Sequence, residues 1–236
     1  MSVPRDTIRR LAKDVREVMK DKSLPEMGIH YAHSERNVLY GEALVVGPAD
    51  SIYEDGLFVF SFHFPTTYPH APPRCTILTG DGRIRLHPNL YRNGKVCLSL
   101  LNTWSGPSWT GCQSIRTVLL TLLTSVLGTT EPILQEPGIK RSHGDFASYH
   151  RIVEYSTANI CILETLRTWP GSQKALEEQG RAHIARKRES ILARIEQRGK
   201  GAPDSEVIRT LLYNITCPVG WKELMRRAEV RLPKLK

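Results

Sequence analysis

Residues 57–64 read Leu57-Phe58-Val59-Phe60-Ser61-Phe62-His63-Phe64. Successive side chains in an extended strand point to opposite faces, so phenylalanine at every second position lines one face with four rings. The 236-residue chain has only five phenylalanines, and four stand here; this face predicts core. Asp55-Gly56 just before it is a turn signal, as is Gly47-Pro48 at the end of the apolar run 38–47. That run predicts another strand, and 74–78 a short one after a proline-rich connection. Residues 30–80 therefore predict an antiparallel meander, four strands in all.

Helical periodicity lies on either side of the meander. Ile8, Leu11, Val15 and Val18 repeat along 3–20, with Pro4 suited to a first turn. Ile115, Val118, Leu119, Leu122 and Leu123 mark a helix over 113–127. Another runs from Phe146 to about Thr168 and stops at Trp169-Pro170-Gly171. The composition then shifts. Residues 173–198 predict a basic helix whose sparse apolar side is Leu176, Ile184, Ile191 and Ile195. Residues 205–216 predict a second, with Val207, Leu211, Leu212 and Ile215 on one side, and a short last helix follows Gly220. Helices segregated from one antiparallel sheet make an α+β layout. The division expected is a domain over 1–168 and a basic helical extension over 169–236.

With 40% hydrophobic and 24% charged residues, the composition is that of a globular chain. The longest apolar run, 118–128, falls short of the roughly 20 residues a membrane span needs, and no apolar secretory stretch opens the sequence. The five cysteines (75, 97, 112, 161 and 217) include no CxxC. Neither a disulfide framework nor a zinc site is expected, and a reducing cytoplasmic or nuclear compartment is. Net charge is +9, and residues 174–236 hold 15 Lys/Arg against 8 Asp/Glu. Acidic residues are mixed in and aromatics are few, so this basicity points to docking on protein, in this chain or a partner, rather than on nucleic acid.

Residues 80–111 have no periodicity and are rich in Gly, Pro, Asn and Trp. An irregular segment of that length inside a domain is usually functional. In and around it stand three patterns: Phe64-Pro65-Thr66-Thr67-Tyr68-Pro69-His70-Ala71-Pro72-Pro73, then His87-Pro88-Asn89, then Asn93-Gly94-Lys95-Val96-Cys97-Leu98, with Cys97 eight residues after Asn89. Together they resemble the ubiquitin-conjugating enzymes, over about residues 5–168. The insert 102–108 and the run Tyr91-Arg92-Asn93-Gly94-Lys95-Val96-Cys97 resemble the large, C-terminally extended Z type of that family.

The resemblance implies a carrier that takes ubiquitin, or a similar modifier, from an activating enzyme as a thioester on Cys97 and passes it to a lysine amine. No metal or organic cofactor is implied; ATP is used upstream by the activating enzyme. Transthiolation needs a thiolate with access to its partner, so an exposed Cys97 is expected. Asn89 has an amide suited to an oxyanion, and it is equally a turn residue that orders its loop. His87 is expected to be structural, Pro88 to stiffen the turn and Tyr68 to shape the fold beside the site. Asp145, in Asp145-Phe146-Ala147-Ser148-Tyr149, matches the family's acidic position near the incoming lysine; Asp is also a preferred helix N-cap. Arg9, Arg10 and Lys13 fall where the family docks its activating enzyme. His70, Trp109 and Gly111 fall on the two ligase-binding loops, where the family usually has a large apolar residue at the position of His70 and Trp-Ser-Pro-Ala in place of Trp109-Thr110-Gly111-Cys112. A specialised ligase, or none, is therefore expected. The rival reading is a non-catalytic binding module of the same fold; such variants typically lose the cysteine, and this chain keeps it.

Overall fold

The computed structural model describes residues 3–232; residues 1–2 and 233–236, at the outer ends of the two expected divisions, lie outside the described residues. Helix α1 (Arg5–Lys20) and the single turn α2 (Ser23–Glu26) precede β1 (Ile29–His33), β2 (Tyr40–Val46), β3 (Leu57–His63) and β4 (Arg74–Ile77). The strands pair antiparallel in sequence order, the four-stranded meander expected. Phe60 stands between Ala43 on β2 and Ile77 on β4.

Both faces of this sheet are covered. On the phenylalanine face, Phe58 packs edge-on to Tyr53 at 5.5 Å. A Cβ at Gly56 would touch both the Phe58 ring and Thr157, which places the sheet against the long C-terminal rod of the domain. That rod is α4 (Phe146–Ser156), wide π turns over Thr157–Glu164 and α5 (Thr165–Arg167). Helix α3 (Ile115–Thr121) widens in the same way over Leu122–Leu127. On the opposite face, near Leu57 and Val59, lies α6 (Lys174–Gly199). Its close approach depends on Gly180, where a Cβ would stand 3.1–3.3 Å from the Trp169 ring and Leu57 Cδ1. The four apolar residues expected to face inward from this helix are all buried.

Glu42, in the middle of β2, is 1% exposed. An ionised carboxylate in such a place needs donors on every side. Tyr40 Oη donates at 2.6 Å, the Ser172 N–H at 2.9–3.0 Å, Ser172 Oγ at 2.7 Å and the Gln173 N–H at 3.1 Å. Three of the four come from the entrance to α6, so sheet and extension share one buried charge. Further pairs join them: Arg194 reaches Glu54 and Asp55 at 2.7 Å each, His183 meets Asp55 at 2.7 Å and Arg198 meets Glu154 at 2.5 Å. Burial pushes the Asp55 carboxyl up, yet the His183 and Arg194 hydrogen bonds outweigh it and hold the group below its usual range. Part of the basic surface of the extension thus docks within its own chain.

The helix expected over 205–216 does not form. These residues make β5 (Glu206–Thr210) and the first two residues of β6 (Ile215–Val219), an antiparallel hairpin with Thr210 opposite Ile215. Val207, Ile208, Thr210, Ile215, Thr216 and Val219 are β-branched and suit a pleated surface. Ile208, Ile215, Cys217 and Val219 face in, whereas Leu211 is 93% exposed at the turn. The turn bends through Tyr213 (φ +64°) and Asn214 (φ +47°), without the glycine that usually announces a hairpin. Helix α7 (Trp221–Arg231) follows and packs edge-on to Tyr155 through Trp221 at 5.2 Å. The extension is therefore helix, hairpin, helix, and its buried residues belong to the same hydrophobic core as the sheet.

The irregular segment is tied down from beneath. Tyr53 Oη donates to the Leu86 carbonyl at 2.7 Å, and His87 Nδ1 accepts the Asn89 N–H at 2.9 Å. This places the imidazole proton on Nε2. His87 is fully buried, and burial, helped by the nearby Arg85 charge, pushes its pKa down to about 3.

Glu42→Ala removes the acceptor that four donors share and is expected to lower the unfolding free energy by about 2–4 kcal/mol in urea titrations. The depressed His87 pKa means that the unfolded chain binds one more proton than the folded one between its ordinary pKa near 6.5 and about 3. Stability from this group is complete above pH 6.5 and is lost on acidification. Between pH 6.5 and pH 4 the wild type should lose about 1.4 kcal/mol per pH unit more than His87→Gln does.

Candidate active site

The segment 86–101 is a miniature hairpin folded back on its own start. His87 bridges to Leu90, and Leu90 to Val96. Asn93-Gly94 makes the turn: Tyr91 and Lys95 pair across it at 2.9 Å, and Gly94 takes φ +87°. A Cβ at Gly94 would press on Thr76 at 2.8 Å, so this turn lies flat on the edge of the sheet at β4. The return strand brings Cys97 beside Asn89. The Cys97 N–H donates to the Asn89 carbonyl at 2.9 Å, and Asn89 Nδ2 donates back to the Cys97 carbonyl at 2.6 Å. Thr103 closes the far side: its Oγ1 accepts the Leu98 N–H and donates to the Val96 carbonyl, both at 2.9 Å.

Cys97 differs from the exposed thiol expected, with only 1% of its surface accessible. Its neighbours Val96 and Leu98 join the hydrophobic core and Cys97 does not. The insert 102–108 doubles back until Gly106 lies against Ser99, two residues beyond the cysteine. The environments of Cys75, Cys161 and Cys217 disfavour the thiolate. Burial pushes all three thiols up, Cys217 to about 11. Cys112 is exposed, and none of the five is in a disulfide.

The two expected ligase loops are braced against α1. Trp109 Nε1 donates to the Pro69 carbonyl at 2.7 Å, and its ring lies 5.9 Å from that of Tyr68. Tyr68 Oη donates in turn to Asp14. Arg10 grips Asp14 with Nε at 2.9–3.0 Å and reaches the carbonyls of Gly111 and Gln113 at 2.6 and 2.7 Å. Of the residues expected on docking surfaces, Arg9, Lys13, His70 and Gly111 are exposed. Arg10 and Trp109 are not free: Arg10 joins the first helix to the second loop, and Trp109 is 7% exposed.

Asp145 stands just before α4, yet its side chain makes no cap bond to that helix. Oδ2 instead accepts the Leu212 N–H at 2.7 Å, on the turn of the C-terminal hairpin. The same turn reaches the active-site loop. Arg92 Nη2 donates to the Tyr213 and Asn214 carbonyls, and the Arg85 guanidinium lies between the Tyr91 and Tyr213 rings. The Tyr213 hydroxyl donates to Glu136. Sequence reasoning singled out none of Arg85, Glu136 and Tyr213. The one available signal was the β-branched run around Tyr213-Asn214. Among the described residues no three His, Cys, Asp or Glu side chains converge as metal ligands, and no helix is long and apolar enough to cross a membrane.

Comparison with known proteins adds the family. The sequence profile of the family described as ubiquitin-conjugating enzyme matches residues 10–157. The chain is 36% identical over 162 residues to ubiquitin-conjugating enzyme E2 Z of Xenopus tropicalis, an alignment that covers 67% of this chain and 50% of that protein. With human E2 Z it shares 36% over 160 residues, 66% and 44% of the two lengths. With the human dual E2 ubiquitin-conjugating enzyme/E3 ubiquitin-protein ligase BIRC6 it shares 33% over 242 residues, covering 95% of this chain and 5% of that one. The chain thus spans half or less of the length of these relatives, and the last alignment includes the extension. With the profile covering more than half of the sequence and Cys97 paired to Asn89 within it, the chain belongs to the ubiquitin-conjugating enzyme family.

Proposed function

We propose that the chain carries ubiquitin as a thioester on Cys97 and transfers it to a lysine amine. The observation that supports this is the reciprocal pair of hydrogen bonds between Asn89 and Cys97. In charging, the Cys97 thiolate attacks the thioester held by an activating enzyme; a new C–S bond forms and the other enzyme's thiolate leaves. In transfer, the lysine amine attacks the carbonyl on Cys97 Sγ; the C–N bond forms, the C–S bond breaks and the amine proton is lost. Asn89 Nδ2 carries two hydrogens. One holds the Cys97 carbonyl, fixing the loop, and the other can meet an oxyanion. The loop and oxyanion roles thus coexist in one amide.

Asp145 is the proposed carboxylate near the incoming amine, on the strength of the family spacing; its bond to Leu212 ties it to the hairpin that also contacts the active-site loop. Arg9 and Lys13 are the proposed contacts for the activating enzyme, which would consume ATP upstream, so that this chain needs no cofactor of its own. A specialised ligase is the proposed third partner: His70 and Gly111 offer little apolar area, and one relative bears a dual conjugating enzyme/ligase name. The five unpaired cysteines favour a reducing compartment, cytoplasmic or nuclear.

Incubation with ubiquitin, ATP and each of the two types of ubiquitin-activating enzyme should give a band one ubiquitin heavier on a non-reducing gel. The band should vanish with reductant and in Cys97→Ala, and persist in Cys112→Ala. A folded protein that forms no such adduct overturns the reading for ubiquitin. Once charged, Asn89→Ala should lose the thioester to free lysine about 10²–10³-fold more slowly than wild type, and Asp145→Asn should slow the same step with charging intact.

A further inference from the structure

The extension reaches the reaction centre through one side chain. Tyr213 sits at the tip of the β5–β6 turn, in a left-handed backbone conformation with Asn214 beside it. Bulky residues hold that conformation only where the surroundings over-determine it. Here they do. Asp145 takes the Leu212 N–H, Arg92 takes the carbonyls of Tyr213 and Asn214, Glu136 takes the Tyr213 hydroxyl, and the Tyr149 ring meets the Tyr213 ring at 5.8 Å.

What this scaffold presents is an aromatic face to Arg85. The guanidinium carbon lies 4.1 Å from the Tyr213 ring centre and 3.8 Å from that of Tyr91. Its Nε is buried with no hydrogen-bond partner among the described residues, so the flanking rings supply much of the environment of this charge. Arg85 Nη2 donates to the Pro88 carbonyl, and its own carbonyl accepts the Tyr149 hydroxyl at 2.8 Å. Pro88 is bonded to Asn89, the residue that holds Cys97. The route is short: Tyr213 ring, Arg85, Pro88, Asn89, Cys97. Without the ring, one face of the guanidinium opens to water, and a solvated arginine no longer needs the Pro88 carbonyl.

We infer that Tyr213 is a positioning residue for ubiquitin transfer, acting through Arg85 to hold the 88–89 turn and with it the Asn89 amide. This rests on the thioester reading above. Its effect should fall on transfer more than on charging. In transfer to free lysine no second enzyme is present, so the donor for the attacked carbonyl has to come from this chain, and Asn89 is the proposed one.

The test is single-turnover. The 236-residue chain as wild type, Tyr213→Ala, Tyr213→Phe and Arg85→Lys are charged with ubiquitin, charging is stopped, and free lysine is added while the thioester is followed on non-reducing gels. Tyr213→Ala should charge within about twofold of wild type and discharge about tenfold or more slowly, the scale of a misplaced catalytic group. Tyr213→Phe keeps the ring and should restore discharge. Arg85→Lys keeps the charge but loses the flat stacking group, and should reproduce the alanine result; it decides the matter if Tyr213→Ala fails to fold. Discharge of both Tyr213→Ala and Arg85→Lys at the wild-type rate, an equal fall in charging and discharge, or a phenylalanine variant as slow as alanine overturns the inference. A wild type that never charges overturns the thioester reading itself, and the inference falls with it.

Discussion

The carboxylate of Glu42 constrains the whole molecule. It lies in the second strand of a sheet that is apolar on both faces, where an ionised group is tolerated only if hydrogen-bonded. Residues 172–173 supply most of the donors, which anchors the start of α6. The direction of that helix then follows from Gly180, where the backbone comes close to Leu57 and Trp169. Once α6 lies there, its arginines meet Glu54, Asp55 and Glu154. These pairs are partly exposed, and such pairs individually contribute little. They select a docking register more than they add stability; the buried Leu176, Ile184, Ile191 and Ile195 supply the hydrophobic gain.

The turn of the hairpin reaches residues 85–92 through Arg92 and Arg85. Sheet, irregular loop and extension share one core. The family profile ends at residue 157, short of the division expected at 168. In space, nothing separates the parts: Asp145 on one side of that boundary bonds Leu212 on the other, and Arg92 bonds Tyr213 and Asn214.

Where periodicity and chemistry agreed, the sequence was readable. Four alternating phenylalanines predicted a strand with a buried face, and that strand is β3. The Asn93-Gly94 turn that sets Cys97 opposite Asn89 went unread inside a segment described only as irregular. The stretch 205–216 misled because Val207, Leu211 and Ile215 also fit a helical spacing. Strand propensity and a glycine-free turn carried the opposite message, and the tertiary contacts of that turn decided between them. The burial of Cys97 and Trp109 and the occupation of Arg10 were illegible for another reason. Each depends on a loop distant in sequence, and side-chain partners such as Gly111 for Arg10 leave no trace in residue spacing.

The hairpin turn also sets a schedule for synthesis. Cys97 and Asn89 leave the ribosome early, whereas the strand that completes the turn ends at Val219. About 120 residues separate the cysteine from that strand, which at 5–20 residues per second corresponds to roughly 6–24 s of translation. Through that interval the nascent chain holds Cys97 and Asn89 while Arg85 still lacks one of its two aromatic walls.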